Sequence, residues 1–323
     1  MTSWKPTATL DILKQRAALI KKTRLFFEKS GCLEVETPIL SAHTVTDPFL
    51  SSFSTFALNQ NKTYYLQTSP EYAMKRLLAA NSGPIFQITK AFRQDEKGSR
   101  HNPEFTILEW YMPHYDHHQL MDHMSEYLIF MLSCPTPKKF SYAKIFELYC
   151  KINPHLANIS DLKICVRENN LDIAPLGELE NDKDTWLDLL MSHCIEPHLG
   201  CDEPVFIYDY PAPQAALSIS KITPEGYAVG ERFEVYYQGI ELANGFHELR
   251  DASEQKKRFE ANLEKRRQLN LPELQLDFYF LEALKQGEFP DVSGVALGLD
   301  RLFMLILGKK TIADVMSFTI ENA

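Results

Sequence analysis

No stretch of the chain approaches the roughly 18 consecutive apolar residues of a membrane-spanning helix, and residues 1–6 lack the apolar core of a secretory signal. The cytosol is therefore the expected compartment. No CxxC pair occurs among the six scattered cysteines, Cys32, Cys134, Cys150, Cys165, Cys194 and Cys201, which argues against a zinc knuckle or redox pair and for reduced, structural thiols. There is no internal repeat and no Gly/Ser linker. Positive charge is in deficit. With 34 Lys and Arg against 43 Asp and Glu the net charge is -9, so no chain-wide field exists to hold a nucleic-acid backbone, although a local basic patch could still serve one.

What is present is a composition of 45% hydrophobic, 11% aromatic and 24% charged residues over 323 positions, enough for one large catalytic domain or at most two small ones. Apolar spacing predicts a helix over 10–30, stopped at Gly31, then a short strand over 32–36 ending at Thr37-Pro38. Ser69-Pro70-Glu71 reads as a hydroxyl cap, a first-turn proline and an acid opening a helix over 69–80. Strands are expected at 85–95 and 104–111, and a hairpin over 232–245 around Gln238-Gly239. Residues 134–200 have weak periodicity and read as a connecting subregion. A charged helix over 252–269, capped by Asp251 or Ser253, reads as a solvated helix with ion pairs, and a strand and helix close the chain over 294–307. Strands in hairpins with helices in blocks indicate an α+β domain with a mixed or antiparallel sheet.

The most informative segment is 86–111. Alternation puts Phe105, Ile107, Glu109 and Tyr111 on one face of its second strand and Thr106, Leu108 and Trp110 on the other, with Arg93 and Asp95 pointing one way from the first. An aromatic plane, carboxylates, a phenol and an arginine on adjacent strands can stack a purine and grip a phosphate. The bland alternative is a solvated sheet face with ordinary cross-strand ion pairs. The other acidic pair is Glu234 and Glu241. If Gln238 and Gly239 are the central turn residues, Glu241 sits opposite Tyr236 and Glu234 lies diagonally beside it on the same face, near enough for both to hold a metal; hard oxygen ligands suit Mg²⁺. His114, His117, His118 and His123 lack a supporting carboxylate or cysteine pattern and read as surface or packing histidines, and Met121, Met124 and Met131 as core.

Three ordered segments carry a resemblance. Phe92-Arg93-Gln94-Asp95 followed by Arg100-His101-Asn102-Pro103-Glu104-Phe105 resembles motif 2 of the class II aminoacyl-tRNA synthetases, most closely the lysyl group. Gly294-Val295-Ala296-Leu297-Gly298-Leu299-Asp300-Arg301-Leu302 resembles motif 3, and residues 26–38 resemble motif 1, the dimer-forming element. The resemblance covers nearly the whole chain. It implies a single catalytic domain over 1–323, with a mixed, mostly antiparallel sheet flanked by helices, that activates an amino acid with ATP and Mg²⁺ as a homodimer.

By that resemblance Arg93 grips the α-phosphate and the amino-acid carboxylate, Phe105 stacks on adenine, and Arg301 contacts the γ-phosphate. Gln94, Asp95, His101, Asn102, Glu241, Leu242 and Gly298 complete the ATP site, and Glu234 and Glu241 hold the metal. The family usually carries Glu where Asp95 stands, and Glu96 follows, so the resemblance leaves open which carboxylate reaches the nucleotide. Ser69-Pro70-Glu71 and Asn244-Gly245-Phe246-His247-Glu248 resemble lysine-binding segments: Glu71 would meet the amine near the carboxylate, and Glu109, Tyr111 and Glu248 the distal one.

Two departures refine this. Only about ten residues precede the motif 1 helix where lysyl enzymes carry an anticodon-reading barrel, so no anticodon-binding domain is expected. Ala296 stands where the tRNA enzymes typically have glycine. Together with Glu109-Trp110-Tyr111-Met112-Pro113-His114-Tyr115, these departures resemble the truncated paralogues that ligate (R)-β-lysine to a lysine of elongation factor P. An enzyme of the same chemistry with another acceptor, or a non-catalytic amino-acid-sensing module, is the alternative; the presence of Arg93, Glu234, Glu241 and Arg301 argues against the last.

Overall fold

The structure, a computed structural model, describes residues 4–94, 97–171, 181–286 and 289–323. The chain divides into two compact units, 1–115 with 249–323, and 116–248. The first begins with α1 (Leu10–Lys29), β1 (Leu33–Glu34), β2 (Leu40–Ser41), β3 (Ser54–Ala57), β4 (Lys62–Leu66), α2 (Glu71–Ala79), β5 (Ile85–Phe92) and β6 (Glu104–Pro113). The second contains α3 (His117–Leu132), β7 (Lys138–Ser141), α4 (Tyr142–Cys150), α5 (Ile159–Glu168), α6 (Lys183–Leu190), β8 (Val205–Pro211), β9 (Ser220–Ile222), β10 (Ala228–Tyr237) and β11 (Ile240–His247). The first is completed by α7 (Ala252–Gln268), α8 (Phe278–Lys285), β12 (Val292–Gly298) and α9 (Leu299–Ile306). No helix among the described residues is long and apolar enough to cross a membrane.

In the first unit α1 is capped by the Thr9 hydroxyl, which accepts from Ile12 N, and stops where Gly31 takes a φ of 74°, a left-handed conformation that glycine adopts without a Cβ penalty. Its buried Phe27 stacks on Phe86 of β5 at 4.8 Å and meets Trp110 of β6 edge-on at 5.1 Å. β1 pairs parallel with β5, and β5, β6 and β12 run antiparallel. The alternation expected for β6 holds: Trp110 faces α1, and its neighbours Glu109 and Tyr111 face away from it. A small sheet of β2, β4 and β3 stands apart from this one. Asp251 caps α7 by accepting from Ser253 N and Glu254 N, and that helix carries the expected ion pairs, Arg258 with Glu254 and Arg267 with Glu264.

One cap is corrected. The Ser69 hydroxyl does not cap α2; Pro70 holds the cap position with φ -78° and ψ 4° and no side-chain bond. With Pro70 already near helical geometry the boundary moves past Ser69, whose hydroxyl is left beside a cavity instead.

The second unit orders β7, β8, β10 and β11, with β9 on β10. The weakly periodic 134–200 region supplies α4, α5 and α6, whose Phe146, Leu162, Trp186, Leu187 and Leu190 form a buried core with Ile207 and Tyr236. Each helix spans only 8 to 10 residues, and α6 runs into a π turn at Met191–Ile195, which slips the 3.6-residue phase and erases the repeat. Met121, Met124 and Met131 of α3 are buried, as is His123, whose imidazole is pushed down to about 4 by burial. His117 departs from the reading as a surface or packing histidine. It is buried against carboxylates, because strands far away in sequence bring Asp209 and Glu231 to it.

Gln238 and Gly239 turn the β10–β11 hairpin with φ of 52° and 66°. Gly245 lies under the Phe233 ring, and an added Cβ would stand 2.3 Å from Phe233 Cζ. Gly245→Ala is therefore expected to destabilise the fold by about 1–3 kcal/mol as the ring is forced from its rotamer. A lowered midpoint in urea unfolding checks this; an unchanged midpoint would mean the ring has room to yield.

Candidate active site

In the first unit Arg93 leaves the end of β5 with its amide bonded to Pro103 O at 2.9 Å, and its guanidinium rests 5.1 Å from the Phe105 ring centroid. Arg301, on the first turn of α9, reaches the same segment: its Nη2 lies 2.5 Å from His101 Nε2 and its Nε donates to Arg100 O at 3.4 Å. Gly298 is the N-cap of α9. Two guanidinium groups, an imidazole and an aromatic plane thus meet around residues 100–105. Asn102 serves the backbone here, since its Nδ2 donates to Glu104 O at 2.6 Å and its Oδ1 accepts from Ile320 N at 3.1 Å. Gln94 N donates to Ser51 O at 2.9 Å; Asp95 and Glu96 lie outside the described residues.

Across the β5–β6–β12 ladder Glu109 pairs with Gln87 on one side and Ala296 on the other. Glu109 is 2% exposed and accepts from the Tyr111 hydroxyl at 2.7 Å. Directly opposed residues place their Cβ atoms about 5 Å apart, so the Ala296 methyl stands beside the Glu109 side chain. Ser69, Pro70 and Glu71 line a cavity of about 220 Å³ with Gln67, Arg76 and Asp277. Lys75, one turn along α2, donates to Glu71 Oε1 at 2.6 Å while only 1% exposed, with its ammonium 5.6 Å from the Phe280 ring centroid. Glu71 is therefore backed by a buried lysine.

In the second unit Glu234 and Glu241 line one cavity of about 420 Å³, with Asp188, Tyr210, Arg232 and Tyr236. The hairpin register explains how. Tyr236 pairs with Glu241, but Val235 pairs with Ala243 and Glu234 with Asn244, so Leu242 is bulged out of the ladder. Glu241 and Asn244 are three residues apart and would occupy opposite faces of an unbroken strand; the bulge puts both on the Glu234 face.

Glu234 is held by the Arg232 guanidinium on one oxygen and by Tyr210 (2.6 Å) and Tyr236 (2.5 Å) on the other. Burial first, and then the Glu234 charge, raise both phenols well above their usual range, so they stay protonated as donors. Asn244 Oδ1 accepts from Arg232 Nε at 3.1 Å. Asp188 is pushed up to about 6, chiefly by burial, with Arg232 pulling down and Asp184 and Glu234 adding to the rise. Glu248 is buried, and its backbone bridges to Ser218.

Several site neighbours escaped the sequence reading. Lys75 lies at i+4 from Glu71, and Arg232 and Tyr236 lie at i±2 from Glu234, so each had a local signal. Tyr210 and Asp188 had none, because they reach the cavity only through strand pairing and helix packing. Asp300 is the other omission: it takes Arg16 Nη2 at 2.5 Å and the Thr106 amide at 2.6 Å, pinning the start of α9 to β6 and α1.

Comparison with known proteins identifies the family. The model of the family described as tRNA synthetases class II (D, K and N) matches residues 3–322. The protein named "Elongation factor P--(R)-beta-lysine ligase" from Haemophilus influenzae (strain PittGG) is 48% identical over 327 residues, covering 100% of this chain and 99% of that protein. The protein of the same name from Salmonella arizonae is 48% identical over 325 residues, and that from Enterobacter sp. (strain 638) 47% over 325, each match covering 99% of this chain and 98% of the other. A family match over almost every residue, on a fold that carries the expected arginines and carboxylates, makes this chain a member of the class II tRNA synthetases of the D, K and N group.

Proposed function

We propose that the chain is an ATP-dependent ligase that activates (R)-β-lysine as an adenylate and transfers it to a lysine side chain of elongation factor P. The observation that carries the amino-acid side is the buried Glu109 side chain, held by Tyr111 and flanked by Ala296. A substrate ammonium is a fitting counter-charge for a carboxylate oriented by a phenol in this way. The Ala296 methyl narrows the space beside it. The acceptor is inferred from the full-length relatives that bear the ligase name.

In this reading Arg93 and Arg301 orient the phosphates and balance the charge that moves onto pyrophosphate, while Phe105 offers a plane to adenine. The amino-acid carboxylate oxygen forms a bond to the α-phosphorus as the α–β bridging bond breaks. The acceptor amine then forms the amide, AMP leaves, and the amine loses its proton to solvent. Glu71, backed by Lys75, and Glu109 each receive one substrate ammonium, with Asn244 and Glu248 as further substrate contacts.

Glu234 and Glu241 would hold Mg²⁺, which supplies charge neutralisation at the phosphates. The donor set fits: both are hard oxygen ligands on one roomy cavity, and the three partners of Glu234 use three of a carboxylate's about four acceptor positions. The exposed Leu33, Ile39 and Leu40 beyond α1 are the surface through which we expect two copies to pair. We place the reaction in the cytosol, where ATP and the acceptor meet.

Mass spectrometry of elongation factor P after incubation with enzyme, ATP and (R)-β-lysine tests the proposal. A mass increase of one β-lysyl group is expected; an unchanged mass alongside charged tRNA would give the acceptor role to RNA. On the substrate side, Ala296→Gly is expected to raise use of α-lysine relative to β-lysine by roughly tenfold, since a methyl in a pocket discriminates on that scale. An unaltered ratio in pyrophosphate exchange would remove Ala296 from selectivity.

A further inference from the structure

On the α3 side of the second unit, away from the cavity that holds Glu234, three side chains from three elements converge. His117 is the first residue of α3, Glu231 lies on β10 and His247 ends β11; one potential ligand atom from each lies within 4.8 Å of the others. His117 is 1% exposed, and neither ring nitrogen has a hydrogen-bond partner of good geometry. Its Nδ1 stands 3.7 Å from Glu231 Oε2, and the same oxygen lies 2.5 Å from His247 Nδ1. Its Nε2 is 3.3 Å from Asp209 Oδ1.

We propose that His117, Glu231 and His247 form a binding site for a transition-metal dication, with zinc as the occupant, and that Asp209 orients His117 from behind.

The ligand chemistry supports zinc. Two imidazoles and one carboxylate are a recurrent zinc set, which leaves a fourth position for water. A ligating histidine generally presents its second ring nitrogen to a carboxylate, and Asp209 stands there for His117. The backbone is shaped to that end. Gly230 pairs with Tyr210 and Phe233 with Tyr208, so Glu231 and Arg232 together face Asp209 alone, a bulge at which Asp209 takes a φ of 58°.

The charge balance agrees. Lys221 Nζ lies 3.1 Å from Asp209 Oδ1, the oxygen that also faces His117 Nε2, and 3.3 Å from Glu231 Oε1, which leaves Glu231 Oε2 toward the two rings. Two carboxylates against one ammonium leave one negative charge for a dication held by neutral imidazoles. Glu231 stands against both rings and Lys221 at once, with Oε2 on the histidine side and Oε1 on the ammonium. Bound zinc would tie the start of α3 to the hairpin strand carrying Asn244.

The test is zinc analysis of the purified chain after chelator stripping, reloading with zinc and gel filtration. About one zinc per chain is expected to remain, as for a site of this ligand set. His117→Ala and His247→Ala should lower retained zinc to background, and Asp209→Asn should weaken zinc binding by about 10–100-fold. Glu234→Gln should keep the zinc, which separates this site from the proposed Mg²⁺ ligands and from the fate of the ligase reading. No retained zinc in the unaltered chain, or equal zinc in His117→Ala and His247→Ala, overturns the site. If those variants fail to fold, cobalt loading of the unaltered chain decides: the visible absorption of four-coordinate cobalt supports the site, and its absence overturns it.

Discussion

Arg301→Ala is expected to slow adenylate formation by about 10²–10³-fold, the scale seen when one preorganised donor to developing charge is removed. The size follows from how the side chain is held. Arg301 sits on the first turn of α9, whose start is pinned by Asp300, and its guanidinium is already aimed at residues 100–101, in the segment whose Phe105 underlies Arg93. Little ordering remains to be done when phosphate arrives, so deletion removes a contact that costs almost nothing to form. Arg93→Ala should act on the same step. Single-turnover pyrophosphate formation measures both, with a larger fall in kcat than rise in KM expected if the contact strengthens in the transition state. Exchange at near-normal rate in Arg301→Ala would refute the phosphate role.

Asp300→Ala is expected to cost about 3–5 kcal/mol of stability, the penalty for leaving a buried charge without its partner. Asp300 is 1% exposed and joins three elements through Arg16 of α1 and the Thr106 amide of β6. Arg16 also donates to the Thr106 hydroxyl at 2.9 Å and to Val315 O at 3.2 Å, and lies 5.3 Å from the Phe303 ring centroid. Truncating the aspartate strands the guanidinium among groups that cannot neutralise it. A fall in thermal midpoint on the order of 10 °C should result. Asp300→Asn retains the shape and one acceptor and should fall between the two. A midpoint within a degree or so of the parent for Asp300→Ala would show that water reaches Arg16 and the pair carries little.

Much of this was legible in residue order because it depends on local rules. Alternation along β6 separates Glu109 and Tyr111 from Trp110, glycine punctuates α1 at Gly31, and Gln238-Gly239 marks its hairpin. The motif segments place the arginines and carboxylates in order. The same rules misread Ser69 as a cap, because Pro70 could open the helix just as well. They found no repeat over 134–200, where short helices and a π turn break the phase while the interior stays densely apolar.

Residue order alone therefore determined the family, the α+β class and the identity of the charged groups, since these rest on composition, period and ordered motifs. Only tertiary structure decided which charges share a cavity. The bulged Leu242 puts Glu241 and Asn244 on one face, strand pairing sets Ala296 against Glu109, and packing buries Lys75 behind Glu71. It also gathered His117, Asp209, Glu231 and His247 from four elements. The physical reason is that strand register and burial depend on groups up to about 190 residues apart, as at the Ala296–Glu109 pair, and no local periodicity records which of them meet.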